Sequence, residues 1–185
     1  MDNLSNRGDF IVSLLLLSSI LGEEIMRHPD DLPFGYSKIT KYIYIGTNKC
    51  CEEKRFIKEL LKKGIRADIS LEREKIDTPF GVKFYLWLPT KEHKPLSPEQ
   101  LLAGSCFLKS LTDQKIKTYV HCEHGHSRSL TFVASFLILT QKMNTKDAIN
   151  FVKDKRPEVH INPIQKKALK DFERFVRKGL KICQP

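Results

Sequence analysis

The sequence predicts an α/β domain: a central, largely parallel sheet of four to five strands flanked by helices, with an extra N-terminal helix ahead of it. Three observations carry this. Short β-branched and aromatic runs alternate with longer amphipathic stretches, the order that produces parallel strands joined by crossover helices. Helix caps and glycines punctuate the runs at matching places. The segment HCEHGHSRS (121–129) joins a strand to a helix, and the carboxyl ends of strands are where α/β folds bind ligands. The 185 residues, 41% apolar and 29% charged, suit one soluble domain with a single core. We divide the chain into an N-terminal extension and linker (1–35) and an α/β domain (36–185).

The elements follow in order. Residues 10–21 (FIVSLLLLSSIL) are apolar but too short to span a bilayer. No positive cluster precedes them and no small-residue cleavage site follows, so they read as a helix rather than a signal peptide. Residues 28–35 (HPDDLPFG) are a linker. A short strand at 42–45 ends at Gly46. Residues 51–63 form a helix stopped by Gly64, with Phe56, Ile57, Leu60 and Leu61 on one face. Strands follow at 65–71 and 82–88, then a loop at 89–95. Ser97-Pro98-Glu99-Gln100 is a complete helix start: N-cap serine, proline at the first position and glutamine at the third. A strand at 117–120 runs into His121. The helix after the loop reaches about Lys142. Two more begin at Asn144 or Thr145 and at Asn162-Pro163-Ile164-Gln165.

The 121–129 loop carries the chemistry. Between Cys122 and Arg128 the backbone amides of Glu123, His124, Gly125, His126 and Ser127 can curl around one anion, with Gly125 permitting the tight turn. Arg128 can grip two phosphate oxygens at once. The helix that opens at Ser129 aims its positive end at the same point. A cysteine held there has a depressed pKa and is a thiolate nucleophile facing phosphorus.

The loop resembles the signature of the cysteine-based protein tyrosine phosphatases, HCxxGxxR followed by Ser or Thr. YSKITKYIYIG (36–46), KKGIRADISLERE (62–74), YLWLPTKEHKPLSPEQL (85–101) and DAINFVKDKRPEVHINPIQKKALKDFERF (147–175) resemble the dual-specificity branch, in order. The resemblance implies that Cys122 forms a phosphocysteine and that Arg128 with the loop amides holds the equatorial oxygens. It implies that Ser129 hydrogen-bonds the departing sulfur and that His121 orders the loop. It calls for no cofactor and no metal. The chain departs from the pattern at the general acid: Glu92 stands where an aspartate is usual, and His93 is the competing candidate. Glu72 and Glu74 could pair with Arg128, but two exposed carboxylates are the expectation.

The substrate stays open between phosphotyrosine and phosphoserine/threonine in proteins, an RNA 5′-phosphate, and a phosphatidylglycerophosphate-type lipid. A phospho-binding module without turnover is a further alternative. HINPIQKKALKDF resembles the lipid phosphatase type, and His124 the RNA triphosphatase type. Glu123 argues against a strongly anionic head group. The net charge is +10, and +6 of it falls in residues 153–181, with ten Lys/Arg against four Asp/Glu. A solvated face explains this; the alternative is attraction of RNA or anionic lipid through the C-terminal helices. Cysteines 50, 51, 106, 122 and 183 fit neither a disulfide framework nor a zinc spacing, which points to a reduced, cytoplasmic setting.

Overall fold

A computed structural model describes residues 35–178 and Cys183. The helix expected at 10–21 lies outside the described residues. The sheet contains five strands: β1 (Tyr36–Lys38), β2 (Ile43–Gly46), β3 (Ile65–Glu72), β4 (Phe84–Thr90) and β5 (Lys117–His121). Their order is β1-β2-β5-β3-β4, so β5 sits in the middle. β1 is antiparallel to β2; every other pairing is parallel. The largely parallel sheet is therefore as expected. β1 is too short for a periodic signal.

Among the described residues there are five α-helices: α1 (Lys54–Lys62), α2 (Pro98–Asp113), α3 (Ser127–Gln141), α4 (Thr145–Lys155) and α5 (Pro163–Arg177). The start expected at residue 51 is corrected to Lys54, because Asn48–Cys51 form a separate 3-10 turn. The caps behave as the residues dictate. Ser97 and Gln100 form a reciprocal capping box, as do Asn162 and Gln165, each with proline just inside.

Strand alternation creates two cores. On one face Phe56 and Leu60 of α1 pack with Tyr44, Ile65 and Tyr119. On the other, Ile45, Ile69 and Val120 pack with the remaining helices. α3 is central there: every residue from Ser127 to Leu139 is buried. That explains why its pattern is apolar on all sides rather than amphipathic.

β4 does not end at residue 88. It runs through Pro89 to Thr90, and an irregularity between Ser70 and Glu72 sets Thr90 opposite Glu72. Such bulges re-aim chain ends beside functional sites. The last residue of β4, Thr90, offers its carbonyl to Arg128 at the start of α3.

Candidate active site

β5 ends at His121, and residues 122–126 curl directly into α3. Alternation sends the two signature residues opposite ways. His121 stacks on Tyr119, ring centroids 5.6 Å apart, on the α1 face. Cys122, 3% exposed and a free thiol, belongs to the core on the α3 face. The first turn of α3 leaves N–H groups without intrahelical acceptors at this end.

Gly125 permits the curl. Its φ is +65°, and a Cβ there would lie 2.3 Å from the carbonyl oxygen of Gly46. Gly46 is equally confined, since its Cβ would lie 2.1 Å from the Tyr119 hydroxyl. Two backbones thus touch where β2 meets the loop. The Asn48 amide donates to the Glu123 carbonyl at 3.1 Å. From beneath, Arg156 Nε donates to the Gly125 carbonyl at 3.0 Å. Arg156 is 1% exposed, so it is not part of the solvated basic face. It also donates to Ser37 Oγ and pairs with Glu158 at 3.0 Å. Burial pushes its guanidinium below its ordinary value, partly offset by Glu158.

Arg128 is also 1% exposed. Its Nη1 donates to Glu74 Oε2 at 2.6 Å and to the Thr90 carbonyl at 2.9 Å. Among the described residues no hydrogen bond engages Nε or Nη2, which stay available for a bidentate anion. Burial pushes the guanidinium down, but the neighbouring charges of Cys122, Glu74 and Glu92 lift it above its ordinary value. The expectation that Glu72 and Glu74 are merely exposed carboxylates is corrected. Glu74 grips Arg128, and Glu72 is 3% exposed and accepts from Asn48 Nδ2. Partial burial would raise the Glu74 carboxyl, but the Glu92 amide and Arg128 outweigh it and hold it at about 2.

Glu92 stands at the rim. Its amide donates to Glu74 Oε1 at 2.8 Å, so Glu74 orients Arg128 and the acid loop together. Its carboxylate, that of Glu123 and an imidazole nitrogen of His124 lie within 4.8 Å of one another. This set could hold a divalent cation. His93 lies farther into solvent, its side chain 68% exposed against 42% for Glu92. The His93 and Lys94 carbonyls accept from Asn162 Nδ2 and Gln165 Nε2, at 2.8 and 3.2 Å. Buried Gln165 reaches Ser127 Oγ as well, at 3.3 Å, and so ties the acid loop to the start of α3. Ser129 Oγ is buried with no hydrogen-bond partner among the described residues. His126 is buried, between half-buried His124 and His160, with centroids 6.0 and 5.3 Å away.

Residues 43–175 match the family model for the dual specificity phosphatase catalytic domain. The chain belongs to this family. A stretch of 58 residues, 31% of the chain, is 41% identical to the human phosphatidylglycerophosphatase and protein-tyrosine phosphatase 1, covering 29% of that protein. Over 140 residues, 74% of the chain, it is 29% identical to the tyrosine-protein phosphatase yvh1 of Schizosaccharomyces pombe, covering 41% of that protein. The chain thus spans well under half of either relative. Among solved structures, PTPMT1 in complex with PI(5)P superposes with a TM-score of 0.69 at 23% identity, over 78% of this chain and 97% of that one. Human DUSP28 gives 0.69 at 17% identity, over 79% and 97%. These two likenesses concern the fold.

Within this dual specificity phosphatase domain, every loop residue expected from the signature comes together at one strand end. Sequence reasoning missed Thr90, Asn48, Arg156 and Gln165 as its supports. Only Gln165 had a local signal, its place in a capping box. The cysteine expectation is also corrected: Cys106 and Cys183 form a disulfide, Cα atoms 5.2 Å apart, across a separation of 77 residues. Distance along the chain hid it.

Proposed function

We propose that this protein hydrolyses phosphate monoesters through a phosphocysteine on Cys122, acting on phosphotyrosine and phosphoserine/threonine in proteins. One observation carries the reading: buried Arg128 donates to Glu74, which also accepts from the Glu92 amide, so one carboxylate ties the anion clamp of the Cys122 loop to the acid loop. The ester phosphate sits in the 123–128 cradle, its equatorial oxygens on the loop amides and Arg128. The Cys122 thiolate attacks in line; the S–P bond forms as the ester P–O bond breaks. Glu92 gives its proton to the departing oxygen. The resulting Glu92 carboxylate takes a proton from water, whose oxygen attacks phosphorus. The S–P bond breaks, and the Ser129 hydroxyl donates to the leaving sulfur. Phosphate departs and the thiolate is restored.

A second reading, a lipid phosphate ester, is favoured by two observations. A segment of 58 residues is 41% identical to the human phosphatidylglycerophosphatase and protein-tyrosine phosphatase 1 and 40% identical to the phosphatidylglycerophosphate phosphatase PTPMT2 of Arabidopsis thaliana. A 920 Å³ groove, lined by Leu96, Leu101 and Phe172 with Arg73, Lys91 and Lys94 at its edge, adjoins the acid loop. Exposed lysines at 153, 155, 166, 167 and 170 would add attraction for anionic lipid or RNA. Among the described residues no helix is long and apolar enough to cross a membrane. A catalytic thiolate suits a reduced, cytoplasmic setting, where Cys106–Cys183 would be open to reduction.

The test is turnover of a phosphotyrosine peptide, a phosphoserine peptide, triphosphate-ended RNA and phosphatidylglycerophosphate, with Cys122→Ser beside the natural protein. We expect peptide turnover that Cys122→Ser abolishes. Turnover of the lipid alone installs the second reading. Activity retained by Cys122→Ser, or none on any substrate, overturns the phosphocysteine mechanism.

A further inference from the structure

Below the phosphate cradle, on the α1 face of the sheet, lies a group of buried reactive side chains that phosphoryl transfer does not use. Cys50 Sγ, Cys51 Sγ and an imidazole nitrogen of His121 lie within 4.8 Å of one another, and the two sulfurs are 3.3 Å apart. His121 Nε2 is 3.3 Å from Asp68 Oδ1 and 3.8 Å from Asp77 Oδ2. At 3.3 Å from Asp68 the protonated imidazole forms an ion pair: burial pushes His121 down, but Asp68, Asp77 and Glu72 lift it above its ordinary value. Beyond that pair, both Asp68 oxygens, Asp77 Oδ1 and both His121 nitrogens have no hydrogen-bond partner among the described residues. Asp68 and His121 are fully buried and Asp77 is 5% exposed.

This is an unbalanced interior. Asp68, Asp77 and Glu72 bring three buried carboxylates to one imidazole. Among the described residues, Ser70 donates to Asp77 and Asn48 to Glu72. Buried charges without partners are costly, and buried polar atoms are nearly always satisfied. A metal held at His121 would give Asp68 a fixed partner. Two sulfurs and a nitrogen disfavour Mg²⁺ and Ca²⁺, which take oxygen shells, and suit Zn²⁺.

We propose that Cys50, Cys51 and His121, with Asp68 as the carboxylate partner, form a structural zinc site. Tetrahedral zinc with Zn–S of about 2.3 Å and Zn–N of about 2.0 Å needs ligand atoms roughly 3.5–3.8 Å apart. The sulfur separation of 3.3 Å falls a little short of that range, and small side-chain adjustments would close the site. Half-buried Cys51 gives an entry path. The ion would join the 3-10 turn Asn48–Cys51 to the residue before Cys122. Asn48 already holds the loop there through the Glu123 carbonyl. Zinc would thus stiffen the start of the cradle from outside the reaction, a role independent of whether the enzyme acts on proteins or lipids.

The test uses the full chain carrying Cys122→Ser, so that the nucleophile cannot bind the metal. After chelation and desalting, Zn²⁺ is added back, unbound metal is removed by gel filtration, and retained metal and Tm are measured. We expect one zinc per chain and a higher Tm with zinc. Adding Cys51→Ser should weaken retention more than tenfold and abolish the rise in Tm; Asp68→Asn, which keeps the shape, should weaken it about ten- to a hundredfold. Co²⁺ in place of zinc should show a thiolate-to-cobalt charge-transfer band, a readout that requires no second variant to fold. No retained zinc, retention unaffected by Cys51→Ser, or cobalt without that band overturns the proposal.

Discussion

At the scale of single residues, Glu74 does more than its exposure suggests. Its side chain is 37% exposed, yet it accepts from both Arg128 and the Glu92 amide. Its folded pKa of about 2 lies below the unfolded value of about 4.3. A depressed carboxyl contributes stability that is present above the unfolded value and lost as pH falls through the folded one. Natural protein should therefore lose stability between about pH 5 and pH 2, and Glu74→Gln should flatten that slope in acid-unfolding curves. The same substitution should lower kcat by loosening Arg128. Glu92→Gln should reduce kcat about 100-fold or more on an alkyl phosphate, whose leaving oxygen needs a proton, and far less on an aryl phosphate. Equal losses on both, measured as kcat on the two esters, would remove Glu92 from the acid role.

At the scale of elements, the site depends on contacts between segments remote in sequence. The start of α5 pins the acid loop through Asn162 and Gln165. Gln165→Leu removes the links to Lys94 and Ser127 and leaves their partners unpaired. The expected cost is about 1–3 kcal/mol in urea unfolding, with kcat falling more than KM rises. Arg156, at the end of α4, holds the loop from below. Arg156→Met strands Glu158 and the Gly125 carbonyl and should cost roughly 3–5 kcal/mol. A loss below about 1 kcal/mol in the same unfolding assay would mean that the backbone contact of Gly46 with Gly125 holds the loop without it.

At the scale of the whole molecule, the covalent tie between Cys106 of α2 and Cys183 closes a long loop over the helical face. Disulfides across long loops restrict the unfolded chain, and losing this one should cost about 2–4 kcal/mol. Unfolding with and without reductant measures it, alongside Cys106→Ser, which should show no reductant effect.

The sequence by itself determined the α/β class, the capped helix starts and the nucleophile loop. These features are local: caps, periodicity and the spacing from Cys122 to Arg128 are each written within a few residues. Glu92 came from the family resemblance, at the place of the usual aspartate, and its acid role remains a proposal. The tertiary structure decided what surrounds the loop. Glu74 and Thr90 against Arg128, Arg156 beneath Gly125, Cys106 with Cys183, and Asp68 beside His121 are pairs separated by tens of residues. Nothing in the spacing of such residues reports their meeting. Only the packing of parallel strands around β5, which carries their distant ends to one edge, brings them together.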